Sequence, residues 1–312
     1  MKVLVTGASG FIGGAFLKHA LSKGLNVRVL TRNPNNWHVQ PRLEVVTGDL
    51  SNQSDWRELL DGIEIVVHAA AESNDPVLMP SVNVHGPERL LYAAVHAGVK
   101  RWVQLSSVGS YGPVANGVVR ENCDVNPSNP YEISKTDFDE ILQKAARNFN
   151  IEVCLVRPSN VYGPDMRNQS IKQMLNAIQK NVFAFIGPEG ASANYVHVHD
   201  VVQALDLCLD HPKAANQTFI ISAWATMEEM VSGLAAGAGL NPPSRRIPLT
   251  LATWLAITMQ FCSRWPLTLS RVQAMTLRSR YSTEKIEKEL GWKLTVPIMD
   301  GMREFAQNCR HS

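Results

Sequence analysis

Three things are scarce in this sequence, and each scarcity closes off a class of protein. Cysteine is sparse: five residues, at 123, 154, 208, 262 and 309, an odd total with no CxxC pair. That excludes a disulfide framework or a zinc ribbon and points to a reducing compartment. Surplus charge is missing, with 30 basic against 28 acidic side chains for a net +2. Neither a nucleic-acid binder nor an acidic tail has that balance. Long hydrophobic runs are also missing. The most apolar stretch, Ile247–Cys262 (IPLTLATWLAITMQFC), is shorter than the ~20 residues a membrane span requires. Thr250, Thr253, Thr258 and Gln260 interrupt it, so it reads as a buried or lid helix, with shallow insertion into a membrane surface as the alternative. The first apolar run is only a strand long, so no signal peptide is expected and a cytoplasmic location is.

What is present is enough for a large core. The chain has 312 residues, 45% of them apolar, which allows one large α/β domain or one with a smaller partner. It opens MKVLVTGASGFIGG. Val3-Leu4-Val5 has the character of a strand buried on both faces, and Phe11 to Ala20 has helical spacing of apolar residues. Between them, glycines 7, 10 and 13 follow the order strand, tight turn, helix. Gly7 turns the chain, Gly10 admits a pyrophosphate close to the backbone, and Gly13 lets helix pack on strand. Free N–H groups and partial positive charge at the helix start suit the phosphates, so this is read as a dinucleotide site.

Further strands are expected at Leu25–Leu30, Leu43–Thr47, Ile63–Val67, Trp102–Leu105 and Ile151–Val156. Helices are expected at Trp56–Leu60 and Asn83–Ala97. Thr31-Arg32 stands at the second strand's end, where a carboxylate would read a free ribose 2′-hydroxyl and an Arg a 2′-phosphate. The preferred cofactor is therefore NADP, with NAD the alternative. Asp49 and Leu50 follow the third strand, Asp49 being suited to the adenine edge or to capping a turn. His68 reads as a packed strand residue, and Ala69-Ala70-Ala71 leave room for a flat cofactor. Past Pro164 the alternation lapses into a helix at Ile171–Gln179, strands at Val182–Ile186 and Thr218–Ile221, a helix through Leu209 and another at Met227–Ala236. The expected fold is α/β, a Rossmann-type doubly wound parallel sheet with a smaller C-terminal substrate lobe. Residues 1–163 and 195–223 form the dinucleotide-binding domain. Residues 164–194 and 224–312 form the substrate lobe, irregular and without another sheet.

Ser107, Tyr131 and Lys135 form the candidate catalytic set. Hydride exchange between a nicotinamide and a carbonyl carbon leaves a proton to move on oxygen. A tyrosine can carry it, but bringing its pKa from about 10 to about 7 takes roughly 4 kcal/mol of phenolate stabilisation. Lys135, one helical turn away, together with the positive charge of an oxidised nicotinamide, is the expected source of that stabilisation. Ser107, at the carboxyl end of a parallel strand, would hold the substrate oxygen toward Tyr131.

These pieces resemble the extended short-chain dehydrogenase/reductases, the NAD-dependent epimerase/dehydratase family. The matching stretches are TGASGFIG (6–13), Gly48-Asp49-Leu50, HAAA (68–71), NVHG (83–86), LSSVGSYG (105–112), PYEISK (130–135), RPSNVYGP (157–164), YVHVHD (195–200) and RYSTEKIEKELGW (280–292). The resemblance implies that Gly7, Ser9, Gly10, Phe11 and Ile12 bind pyrophosphate, and Asp49 and Leu50 the adenine. It places Ala69, Ala70, Ala71, Tyr131, Lys135 and Pro158 along the nicotinamide half. Ser107 and Asn160 would touch substrate. It also implies a homodimer through a four-helix bundle drawing on Leu90–Ala97 and Phe138–Phe149.

Two departures narrow the substrate. Many nucleotide-sugar members carry an Arg two residues before the aromatic corresponding to Tyr195, and here that position is Ala193. Sugar dehydratases carry Asp-Glu directly after the catalytic hydroxyl, whereas Val108-Gly109 follow Ser107, so dehydration is not expected. The HVH of His197–His199 is not read as a metal site, because the strand-to-helix junction that the resemblance implies there makes Asp200 a cap. The leading reading is an oxidoreductase acting on a carbonyl or secondary alcohol, and the alternative a nucleotide-sugar 4-epimerase with tightly bound NAD. A non-catalytic NADP-sensing protein is a third reading, disfavoured by the intact Ser/Tyr/Lys set. An apolar pocket wall is expected from Leu249–Phe261, and Asn160, Arg167, Lys172 and Arg245 are candidate donors to a nucleotide sugar. The partner is a small molecule.

Overall fold

Apolar, β-branched runs separated by glycine and polar turns form seven parallel strands. These are β1 (Lys2–Thr6), β2 (Asn26–Thr31), β3 (Leu43–Thr47), β4 (Ile65–His68), β5 (Arg101–Leu105), β6 (Glu152–Pro158) and β7 (Gln217–Ile221). The computed structural model describes residues 1–38, 40–52, 55–166, 169–258 and 268–309. Arg167, Gln260, Phe261 and Cys262 lie outside the described residues. The strand order is β7-β6-β5-β4-β1-β2-β3, and every pairing is parallel. Chain direction across the sheet reverses between β1 and β4, and a ligand crevice opens at the carboxyl ends of such a pair.

Both faces of the sheet are covered, which is why β1 has no polar alternation. Val3 and Val5 face the helices Phe11–Ser22 and Val198–Asp210, meeting Phe16, Leu17, Val201 and Leu205. Leu4 faces the other way, toward Leu90 and Leu91 of Gly86–His96 and Phe138 and Leu142 of Pro130–Asn148. A further core is built from Ser170–Gln179, Met227–Gly237 and Ile298–Asn308, centred on Met230, Leu234, Met302 and Phe305.

Several expectations need correcting. The C-terminal part does contain sheet: Asn160–Tyr162, Ser192–His197 and Ala223–Thr226 form three strands. Phe185–Ile186 also pairs with Arg246–Ile247, and Asn116–Val119 with Arg278–Tyr281. The expected strand at Val182–Ile186 is only Phe185–Ile186, because the Val182 and Phe183 N–H groups bond Ala177 and close the preceding helix. The helix expected from Asn83 begins as a π turn, Pro80–His85, and becomes regular over Gly86–His96. Pro87 has no N–H to give Asn83, so a regular turn cannot run through it. Asp200 is not a cap. His197 is the N-cap, its Nδ1 accepting from His199 N at 3.3 Å, and Asp200 lies in the first helical turn. The buried Asp200 carboxylate accepts from Thr295 N at 2.9 Å and Val296 N at 3.2 Å, pinning the C-terminal segment to this helix. Among the described residues no helix is long and apolar enough to cross a membrane.

Candidate active site

The turn after β1 is shaped for a close neighbour. Gly7 has φ +71°, and a Cβ there would meet Ala70 N at 2.5 Å. A Cβ on Gly13 would collide with the Gly7 carbonyl oxygen, so the helix lies directly on the turn. Gly10 N donates to Gly7 O at 2.8 Å, and Gly10 then caps the helix with no side chain to bond its first N–H groups. Those donors face the crevice, and this cradle fits a dinucleotide pyrophosphate. Ser9 is exposed, and Phe11 and Ile12 are half-buried. Phe11 packs against both the sheet core and the C-terminal core. Ala69, Ala70 and Ala71 leave the adjacent β4, Ala69 N donating to Thr6 O at 3.2 Å.

At the other end of the crevice Arg32 is exposed just past β2. Leu50 is buried, and Asp49 Oδ1 accepts from Ser51 N at 2.9 Å and Ser51 Oγ at 2.8 Å. Burial pushes the Asp49 carboxyl up, but the Ser51 bonds, aided by Arg32, bring it below its ordinary value. Glu72 is also held down, chiefly by the backbone N–H groups of Asn74 and Asp75, with a contribution from Arg32. Arg32 thus lies in the field of two carboxylates.

Tyr131 and Lys135 share one face of Pro130–Asn148. Asn129 caps this helix, its side chain accepting from Glu132 N at 3.0 Å, and Pro130 takes the first position. Lys135 Nζ donates to Leu105 O at 2.6 Å, the last carbonyl of β5 and two residues before Ser107. Ser107 Oγ accepts from Gly109 N at 3.0 Å and keeps its own hydrogen to donate. Burial pulls the Lys135 pKa down to about 8, while the Asp139 carboxylate pulls it upward. Burial, then Asp139, pushes the Tyr131 phenol above its ordinary value. Burial and Asp139 both act against the phenolate, so the depression of Tyr131 toward neutrality expected from Lys135 together with an oxidised nicotinamide is not supplied by the chain's own groups.

Three residues of this cluster escaped the sequence reading. Asp139, 1% exposed, lies one turn beyond Lys135. Its Oδ2 accepts from Ser106 Oγ at 2.6 Å and from Arg157 Nε and Nη2 at 3.2 and 3.0 Å. Arg157 in turn lies over the Tyr111 ring, 4.9 Å from its centroid. The available signals were an acid four residues after Lys135 and an Arg ending a buried strand. The third is Asn83, whose Nδ2 donates to Glu72 O and Ser134 Oγ, both at 2.9 Å, fastening the loop after β4 to the Tyr131 helix.

The remaining candidates are scattered. His68 is buried between Trp102 and Phe138, 2.8 Å from Thr6 Oγ1, and burial holds it well below its usual pKa. Pro158 is buried at the end of β6, and the exposed Asn160 donates to Asn194 O at 3.3 Å. Lys172 is exposed, while Arg245 donates to Asn181 O at 2.8 Å. Ala193, 1% exposed, is packed in the C-terminal core. His199 pairs with Gln203, and no cluster of three metal-ligating side chains occurs among the described residues. Leu249, Leu251 and Trp254 are exposed instead of walling an enclosed pocket.

Strand order and the glycine cradle at the reversal point place the chain among the dinucleotide-binding α/β enzymes. It belongs to the NAD dependent epimerase/dehydratase family, whose model matches residues 3–222. It is 26% identical to a UDP-glucose 4-epimerase of Vibrio cholerae, covering 98% of this chain and 94% of that one. It is also 26% identical to a 3beta-hydroxysteroid-dehydrogenase/decarboxylase isoform of Arabidopsis thaliana, covering 86% of this chain and 52% of that one. The UDP-glucuronic acid 4-epimerase of Bacillus cereus, solved in complex with NAD, shares the fold. Its TM-score is 0.79 at 19% identity, covering 100% of both chains. The protein is an enzyme that works with a nicotinamide dinucleotide.

Proposed function

We propose that the chain is an NADP(H)-using oxidoreductase acting on a carbonyl or secondary alcohol. The observation that carries this reading is the 2.6 Å bond from Lys135 Nζ to Leu105 O, which ties the Tyr131 helix to the strand end bearing Ser107. The bound nicotinamide supplies or accepts hydride at the substrate carbon. Tyr131 Oη transfers the proton at the substrate oxygen, and Ser107 Oγ donates a hydrogen bond to that oxygen. Lys135, one helical turn from Tyr131, would favour the phenolate together with the positive charge of an oxidised nicotinamide. Gly7, Ser9, Gly10, Phe11 and Ile12 hold the pyrophosphate, Asp49 and Leu50 the adenine end, and Ala69–Ala71 with Pro158 the nicotinamide end. Residues 1–163 and 195–223 carry the cofactor, and the rest closes over the substrate near Asn160. Exposed Tyr92 and Phe149, with ring centroids 5.9 Å apart, support a homodimer through their two helices.

The preference for NADP rests on Arg32, exposed at the end of β2 with no carboxylate on that strand end. Arg32→Ala is expected to weaken NADP(H) binding and leave NAD(H) nearly unchanged. Equal losses, or tighter NAD than NADP in the parent, overturn the preference. The similarity to a UDP-glucose 4-epimerase across 98% of the chain supports a second reading, nucleotide-sugar 4-epimerisation through the same three residues. Identifying the dinucleotide retained on purification separates the two. Tightly held NAD identifies an epimerase, and readily exchanged NADP an oxidoreductase.

A further inference from the structure

The helix Leu249–Thr258 is apolar around its whole circumference, yet only one stripe of it is covered. Ala252 and Ala256 are buried against Ile186 and Val272. Leu249, Leu251, Trp254 and Ile257 point outward, Trp254 with 60% of its surface exposed. A helix without a polar face belongs in a core or against lipid. Two of its three hydroxyls are turned back on the backbone: Thr253 donates to Leu249 O and Thr258 to Trp254 O, both at 2.9 Å. Those polar atoms are satisfied without water.

The stretch of chain that carries this helix has charge of one sign. Residues 230–283 contain six arginines and no Lys, Asp or Glu, although the whole chain carries only +2. Arg246 is paired with Glu228 at 2.9 Å and lies 3.7 Å from Glu189, so it is neutralised locally. Other arginines bond neutral groups and keep their charge: Arg245 the Asn181 carbonyl, and Arg278 the carbonyls of Thr276, Pro188 and Glu189. Arg280 lies over the Trp224 ring, 3.6 Å from its centroid. We propose that this face rests on an anionic lipid bilayer. Trp254 and the three aliphatic side chains would enter the boundary between headgroups and acyl chains, and the arginines would pair with lipid phosphates. A second copy fits worse, because a two-fold contact would set the arginine excess against itself.

Co-sedimentation of the full chain with vesicles tests this, using phosphatidylcholine alone and mixed with phosphatidylglycerol. Binding to the mixed vesicles should exceed that to phosphatidylcholine by about tenfold or more and should weaken with salt. Trp254→Glu should lower it by a similar factor with an unchanged melting temperature, as should Leu251→Glu, a second probe should one variant misfold. Absent sedimentation with the mixed vesicles, or equal binding by parent and both folded variants, overturns the proposal. So does self-association that the variants abolish without any vesicle binding in the parent.

Discussion

Lys135 loses the hydration of its ammonium in a site where the Leu105 carbonyl, at 2.6 Å, is its hydrogen-bond partner, and its pKa falls to about 8 from 10.5. Below pH 8 both folded and unfolded chains carry the proton, and the net penalty of burying the ammonium, desolvation less the attraction of Asp139 and about 3 kcal/mol by the size of the shift, opposes folding. Between pH 8 and 10.5 the folded chain sheds the proton first, so this contribution to stability rises with pH. Lys135→Met should therefore stabilise the protein at pH 7 by about 1–3 kcal/mol, and abolish the rise between pH 8 and 10.5. Urea unfolding at pH 7 and 9.5 measures both. A destabilised Lys135→Met chain would show that the bond to Leu105 outweighs desolvation. The companion prediction concerns chemistry: Tyr131→Phe should lower turnover by about 10²–10⁴-fold while the cofactor still binds. Turnover near that of the parent removes Tyr131 from the proton-transfer role.

Tyr131 stands in the first turn of its helix, so its position depends on how that helix starts. The Asn129 cap, bonded to Glu132 N at 3.0 Å, is a local feature that Asn-Pro-Tyr-Glu announces in sequence. Asn129→Ala should cost about 1 kcal/mol of stability and let the first turn fray, lowering turnover more than cofactor affinity. An unchanged unfolding midpoint would show that Pro130 fixes the start alone. Features of this local kind were legible: the buried runs of β1 to β7, the glycine turn, and the i, i+4 relation of Tyr131 to Lys135. What escaped is set by distant partners. Asn116–Val119 reads as a loop until Arg278–Tyr281 pairs with it, and Ala223–Thr226 until Ser192–His197 does. Asp139 looks like a solvated helix acid until β6 brings Arg157 to it at 3.0 Å. The π turn at Pro80–His85 was readable from Pro87, but the helical spacing of apolar residues masked it.

At the scale of the molecule, the C-terminal core decides what the substrate lobe can recognise. Nucleotide-sugar relatives are expected to clamp a diphosphate with an Arg at the position of Ala193, and restoring it would then tighten UDP binding. The packing argues otherwise. Ala193 pairs across the small sheet with Ala225, and both are buried in the same core as Phe183, Phe185 and Met230. An Arg side chain there would have to displace those residues or bury an unpaired guanidinium, and an uncompensated buried charge costs about 3 kcal/mol or more. Ala193→Arg is therefore expected to lower the urea midpoint sharply and leave UDP affinity no better than the parent's. Titrating UDP and UDP-sugars against parent and variant, alongside the unfolding curves, tests both halves. Tighter UDP binding at unchanged stability would mean that the strand Ser192–His197 can turn this position toward the substrate. Sub-micromolar UDP-sugar affinity in the parent would mean that donors such as Asn160 or Lys172 make the clamp without it, and the epimerase reading would then displace the oxidoreductase one.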